Sequence, residues 1–275
     1  MSSELLQLEV SDKIATITLN RPDKHNAVTN VMWDGIFEMI RSLRARTDVS
    51  VIILKGAGKS FCVGHDMHEP LEVFPSATES PWFEEVDRLH DRWHSYREVM
   101  WRAPQPIIAQ IQGNLFTIGL ELAMQCDLVI AADDAKITVR SLGGASFLVH
   151  MWPWLIGVRK AKELLFMGAQ ISGKEAAELG MVNAAVPLER LDEHVREIAQ
   201  RIAKVPVTLL ALEKRACNLC FDQMGVPVAI EHSEAIRAVG FLSKESQSVR
   251  EKMFSGNWRE GVQMRDEQYR SESPR

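Results

Sequence analysis

Residues 106–137, PIIAQIQGNLFTIGLELAMQCDLVIAADDAKI, hold the reading on which the fold turns. PIIAQIQG is an apolar run ending in glycine and reads as a strand, as does DLVIAAD. Between them GNLFTIGLELAMQCD, Gly113 to Asp127, reads as a glycine-punctuated turn that opens into a short helix. Glu121 falls in the first turn of that helix and is the single glutamate between Glu98 and Glu163. Backbone N–H groups in a first turn lack intrahelical acceptors. They can hold an oxygen that gains negative charge while a neighbouring carboxylate moves a proton. That pairing points to acyl chemistry.

Upstream, LLQLEV and KIATITL are β-rich runs parted by Ser11-Asp12-Lys13, a hairpin-like turn, and Asn20 to Lys24 form a loop. From Thr29 to about Arg46 apolar residues recur at helical spacing (Val31, Met32, Ile36, Met39, Ile40, Leu43), with Thr29 or Asn30 as the cap. VSVIILKGAG reads as a fully buried strand, 64–81 as irregular, and 82–102 as a helix. Downstream the spacing predicts helices over 158–167, 174–179, 188–204, 207–224 and 226–242. A strand-rich first half before a helical last third implies an α/β core over 1–200 and a helical region over 201–275 that serves assembly.

A chain of 275 residues with 46% apolar and 25% charged residues suits a soluble globular protein. Its net charge of −5 gives no general attraction to nucleic acid or anionic membranes. MSSELLQLEV reads as a strand and not as a targeting segment, and no run is long enough to span a bilayer. A cytoplasmic location is the expectation. Cys217 and Cys220 form a lone C-x-x-C within a helical pattern, with no second pair to complete a zinc site, so no metal is expected.

A second segment complements Glu121. KGAGKSFCVGHDMHE, Lys55 to Glu69, is a strand running into a glycine-rich turn. Two such turns could aim two backbone N–H groups at one carbonyl oxygen, each donor contributing about 2.7–4 kcal/mol to catalysis. Together with ATITLNRPDKHNAVT (15–29), residues 49–67, 106–137 and GAQISGKEAAELGMVNAAVP (168–187), this pattern resembles the crotonase, or enoyl-CoA hydratase/isomerase, superfamily. The resemblance implies a ClpP/crotonase-like ββα spiral core with a helical C-terminal trimerisation region. It also implies a homotrimer or dimer of trimers acting on an acyl-CoA thioester. Coenzyme A would be part of the substrate, with no further cofactor.

Carried over by position, the resemblance makes the N–H groups of His65, after Gly64, and of Ile118 the oxyanion donors. Ile118 stands where the family usually has glycine, so a left-handed backbone there would strain it. Lys24, His25 and Ala27 match the loop that touches coenzyme A, and Asp66, Met67 and His68 extend the first turn along the thioester arm. Glu121 matches the first of two hydratase glutamates; the second position falls at Ser141. Residues 122–162 contain no glutamate, so a shift of a few residues in alignment does not supply one.

Several chemistries remain open at this stage. Hydration would need another proton carrier, with His150, His68 and Glu69 as candidates. Isomerisation needs one base, decarboxylation is suggested by GHDMHE, and hydrolysis would use Glu121 to activate water. A non-catalytic acyl-CoA-binding relative is the alternative from another class. Trp82, Trp93, Trp101, Trp152 and Trp154 fall in the segments that line the acyl site in relatives, which suggests a bulky or cyclic acyl group.

Overall fold

A computed structural model describes residues 4–66, 68–69, 95–139, 151–241, 243–244, 247–248, 251–252 and 258–267. β1 (Leu6–Ser11) and β2 (Ile14–Leu19) form an antiparallel hairpin turning through Asp12 and Lys13, both left-handed. β2 then pairs in parallel with β3 (Val51–Gly56), β3 with β4 (Ile107–Ile111), β4 with β6 (Leu128–Ala132) and β6 with β9 (Ala184–Val186). The β4 sequence IIAQI is buried at every residue, as a strand covered on both faces must be. A smaller sheet joins β5 (Asn114–Phe116), β7 (Lys136–Thr138) and β8 (Gln170–Ser172).

Helix α1 (Asn30–Leu43) buries Met32, Ile36, Met39, Ile40 and Leu43 of the stripe its spacing predicts, while Val31 faces away from the core and is exposed. Thr29, and not Asn30, caps it: the Thr29 side chain accepts from Met32 N. Helix α2 covers 95–101, and α3 is Ile118–Met124. The core continues through α4 (Trp152–Leu155), α5 (Val158–Phe166), α6 (Gly173–Glu178) and α7 (Leu188–Ile202). The helical end follows as α8 (Val207–Gln223), α9 (Val226–Phe241) and α10 (Trp258–Glu267). Among the described residues no helix is long and apolar enough to cross a membrane.

The parallel register positions the site. Leu19 pairs with Gly56 and Lys55 with Gln110, so β2, β3 and β4 end side by side. The segments that leave those ends, 20–29, 57–66 and 112–117, the last carrying β5, therefore gather at one edge, where open α/β sheets carry their ligands.

Candidate active site

The loop after β2 is held in a fixed shape by polar contacts. Pro22–Lys24 make one 3-10 turn, and His25 and Asn26 follow with left-handed φ of 49° and 57°. Asn26 is fully buried; its Oδ1 accepts from Arg21 N at 2.8 Å, and its Nδ2 donates to Ala57 O and Ser60 O. His25 Nδ1 lies 3.1 Å from Ser60 Oγ, and Arg21 donates to Ala27 O. Lys24, His25 and Ala27 thus stand in a loop that is already ordered.

That loop is stitched to the turn after β3. Val28 N donates to Gly64 O at 2.7 Å, and Asp66 N donates back to Val28 O, which sets His65 opposite Val28. Arg21 Nη2 reaches Asp66 Oδ2 at 2.6 Å, while His68 N donates to Asp66 Oδ1. Burial alone would raise the Asp66 pKa, but the His68 N–H and the Arg21 guanidinium outweigh it and hold the carboxyl below its ordinary value. Glu69 Oε2 accepts from Asn30 N and so caps α1, which occupies one of the two carboxylate oxygens considered for proton transfer. His68 is exposed. Met67, Ser141 and His150 lie outside the described residues.

The two glycine turns interlock. Phe116 N donates to Cys62 O at 3.1 Å, and Cys62 bridges Leu115. A Cβ on Gly64 would come within 2.0 Å of Thr117 Oγ1, and one on Gly119 within 2.5 Å of Cys62 O. Any side chain at either glycine would force the turns apart. The left-handed backbone expected to burden Ile118 falls one residue earlier, on Thr117, with φ 44° and ψ −118°. Ile118 begins α3 without a positive φ, and as the first helical residue its N–H has no acceptor within the helix. Burial pushes the Cys62 thiol up to about 12, so this residue packs as a neutral group.

Glu121, 8% exposed, sits on the first turn of α3 with its N–H on Thr117 O. It lines a cavity of about 780 Å³ together with Met124 of α3, Gln125 just after that helix, Trp101 and Trp152. The opposite wall is α8, fastened by Lys214 Nζ to Asp127 Oδ2 at 2.7 Å and to Met100 O, and by Asn218 Nδ2 to Trp101 O. Of the five tryptophans expected near the acyl group, Trp101 and Trp152 line this cavity; Trp154 stands on α4 without lining it, and Trp82 and Trp93 lie outside the described residues. Asp127 is bonded to Lys214 and Ile107 N and does not line the cavity.

The sequence model of the enoyl-CoA hydratase/isomerase family matches residues 9–248. The chain belongs to this family. EchA13 of Mycobacterium tuberculosis, which carries an enoyl-CoA hydratase name, is 35% identical over 249 residues, covering 83% of this chain and 78% of its own. The crystal structure of a probable enoyl-CoA hydratase from Mycobacterium thermoresistibile superposes with a TM-score of 0.78 at 36% identity, covering 90% of this chain and 98% of that one. An enoyl-CoA hydratase/isomerase from Xanthobacter autotrophicus Py2 superposes at 0.87 with 28% identity, covering 98% and 100%. The mixed α/β architecture is thus the crotonase fold that the resemblance implies.

Sequence reasoning missed three family-site neighbours: Asn26 that knots the loop, Arg21 that pairs with Asp66, and Lys214 that anchors α8. Asn26 carried a usable signal, since asparagine tolerates left-handed backbone and sat between a turn and the start of a helix. Arg21 and Lys214 carried none, because their partners are 45 and 87 residues away in sequence.

Proposed function

We propose that this chain is a lyase of enoyl-CoA hydratase type, in which the peptide N–H groups of His65 and Ile118 hold the thioester oxygen of an acyl-CoA substrate. The observation that carries the reading is the interlock of Gly64 with Thr117 and of Gly119 with Cys62, directly beside Glu121. It brings the peptide after Gly64 next to the start of α3, as two donors to one oxygen require. Glu121 takes a proton from water as the water oxygen bonds to the β-carbon. The electron pair of the double bond moves onto the thioester oxygen, and the enolate collapses as the α-carbon receives a proton.

Of the other proton carriers considered, His68 is exposed, Glu69 is engaged at the start of α1 and His150 lies outside the described residues. With Ser141 at the second position, Glu121 itself therefore returns the proton it took, and Ser141 orients the water. Lys24, His25 and Ala27, with Gly64, His65, Asp66, Met67 and His68, hold the coenzyme A arm, and no other cofactor takes part. The 780 Å³ cavity walled by Trp101 and Trp152 suits a bulky acyl group. Leu209 and Leu212 on α8, Ile236 on α9 and Met224 between the two helices are exposed, which supports assembly as a trimer or dimer of trimers.

Glu121→Gln tests the chemistry. Turnover should fall by about a hundredfold to ten-thousandfold while acyl-CoA binding persists. Mass spectrometry on a panel of CoA thioesters identifies the reaction: gain of water means hydration, loss of carbon dioxide decarboxylation, and free coenzyme A thioester cleavage. The absence of glutamate from 122–162 favours a second reading, one-base isomerisation, which shows as a double-bond shift without mass change.

A further inference from the structure

The cavity that Glu121 lines carries cations at another of its ends. α8 runs antiparallel to the end of α2 and the residues after it, because Lys214 Nζ donates to Gln105 O while Asn218 Nδ2, one turn on, donates to Trp101 O. Gln105 Nε2 in turn donates to Leu43 O at 2.8 Å. Arg215, next to Lys214, and Arg44, next to Leu43, therefore reach the cavity from the same end, beside Pro104, and all three line it. Neither guanidinium has a hydrogen bond or ion pair among the described residues. The other charges on that wall have partners or stand apart. Lys214 is engaged by Met100 O, Gln105 O and Asp127 Oδ2, Arg102 pairs with Glu98, and Arg97 is engaged as well. Asp222 follows Arg215 on α8 by two turns, roughly 10 Å.

Resting on the acyl-CoA reading above, we infer that Arg44 and Arg215 recognise an anionic group at the far end of the acyl chain, so that the preferred substrates are thioesters of dicarboxylic acids. Asp127, which Lys214 holds, follows α3. The basic end thus lies beyond the helix whose first turn carries Glu121, at least one turn or roughly 5 Å away. Trp101, Met124 and Trp152, which also line the cavity, receive the carbon skeleton between the two polar ends. A guanidinium matches a carboxylate in charge and in planar geometry. Two cations brought to one end of a cavity repel each other until an anion joins them. Both arginines are exposed. A carboxylate that meets them keeps part of its hydration while the chain behind it is buried, which avoids the desolvation penalty of a fully enclosed ion pair.

The test compares suberoyl-CoA with its terminal amide, which has the same length and shape without the charge, by calorimetry on the full chain. Both probes are saturated and unreactive, and their unsaturated forms are compared in turnover. Adipoyl and sebacoyl pairs bracket the chain length, and the pair with the largest ratio is carried forward. The wild-type protein should prefer the carboxylate by about tenfold or more, with the same preference in kcat/KM, and the ratio should shrink as salt is raised. Arg215→Gln should lower the ratio, and Arg44→Gln with Arg215→Gln should bring it to about one. Arg215→Lys, which keeps the charge and loses the planar fork, should leave an intermediate ratio. Arg159→Gln removes an exposed cation of α5 that does not line the cavity, and should leave the ratio as it is. Melting temperatures near the wild type confirm that the variants fold. Equal binding of carboxylate and amide at every length, a ratio unchanged in the double variant, or the same fall in Arg159→Gln overturns the inference and leaves the acyl-CoA reading standing. Failure to bind any CoA thioester overturns the acyl-CoA reading itself.

Discussion

Thr117 holds a backbone conformation that glycine adopts freely and a β-branched residue does not. Its hydroxyl is buried against Gly64 without a hydrogen-bond partner among the described residues, so the side chain recovers little of that cost. Thr117→Gly should therefore stabilise the protein by about 1 kcal/mol, read as a raised midpoint in denaturant, despite the entropy glycine adds to the unfolded chain. Asp66 gives a pH signature. Its folded-state pKa is depressed, so the stability it contributes is present above its unfolded value of about 3.9 and is lost as pH falls through the lower folded value. The stability gap between wild type and Asp66→Asn should stay level from about pH 5 to 8 and close below about pH 4. A gap unchanged down to pH 2 in denaturant melts would refute this. Glu121 was legible as a residue, because a lone glutamate in a turn-to-helix segment stands out against an empty window on the chain. Gln125 was not, since a glutamine just past the end of a short helix looks the same in sequence whether it faces a cavity or solvent.

Helix α8 is an element whose docking rests on a few polar bonds. Lys214 spans from α8 to Asp127, Met100 O and Gln105 O, while Trp101 meets Phe221 edge-on at 6.2 Å. Lys214→Met leaves the Asp127 carboxylate without its cation and should cost about 3–5 kcal/mol. Adding Asp127→Asn should restore part of that loss, and a double-mutant cycle on thermal melts measures the coupling. Strictly additive losses would mean that the two side chains act separately. The helices themselves were legible: α8 and α9 start where the periodicity places them and end within one residue of it. The strands β5, β7, β8 and β9 were not, being three residues each and too short for any period to register. Their partners, supplied by distant segments, make them strands.

For the whole molecule, the exposed leucines of α8 bear on assembly. Light scattering should report a mass near three or six times the 31.0 kDa chain, and Leu209→Glu with Leu212→Glu should reduce it. A monomer at all concentrations would exclude the trimer. The order of the four family segments along the chain made the global fold readable before any single element was certain, because topology follows from that order and not from local propensity. Asn26 carries a further consequence for ligand capture. The loop bearing Lys24, His25 and Ala27 has its turns, its left-handed residues and its hydrogen bonds complete before any ligand arrives. Its conformational entropy was surrendered during folding, so association with coenzyme A should be fast, near rigid-body, and insensitive to loop-loosening temperature.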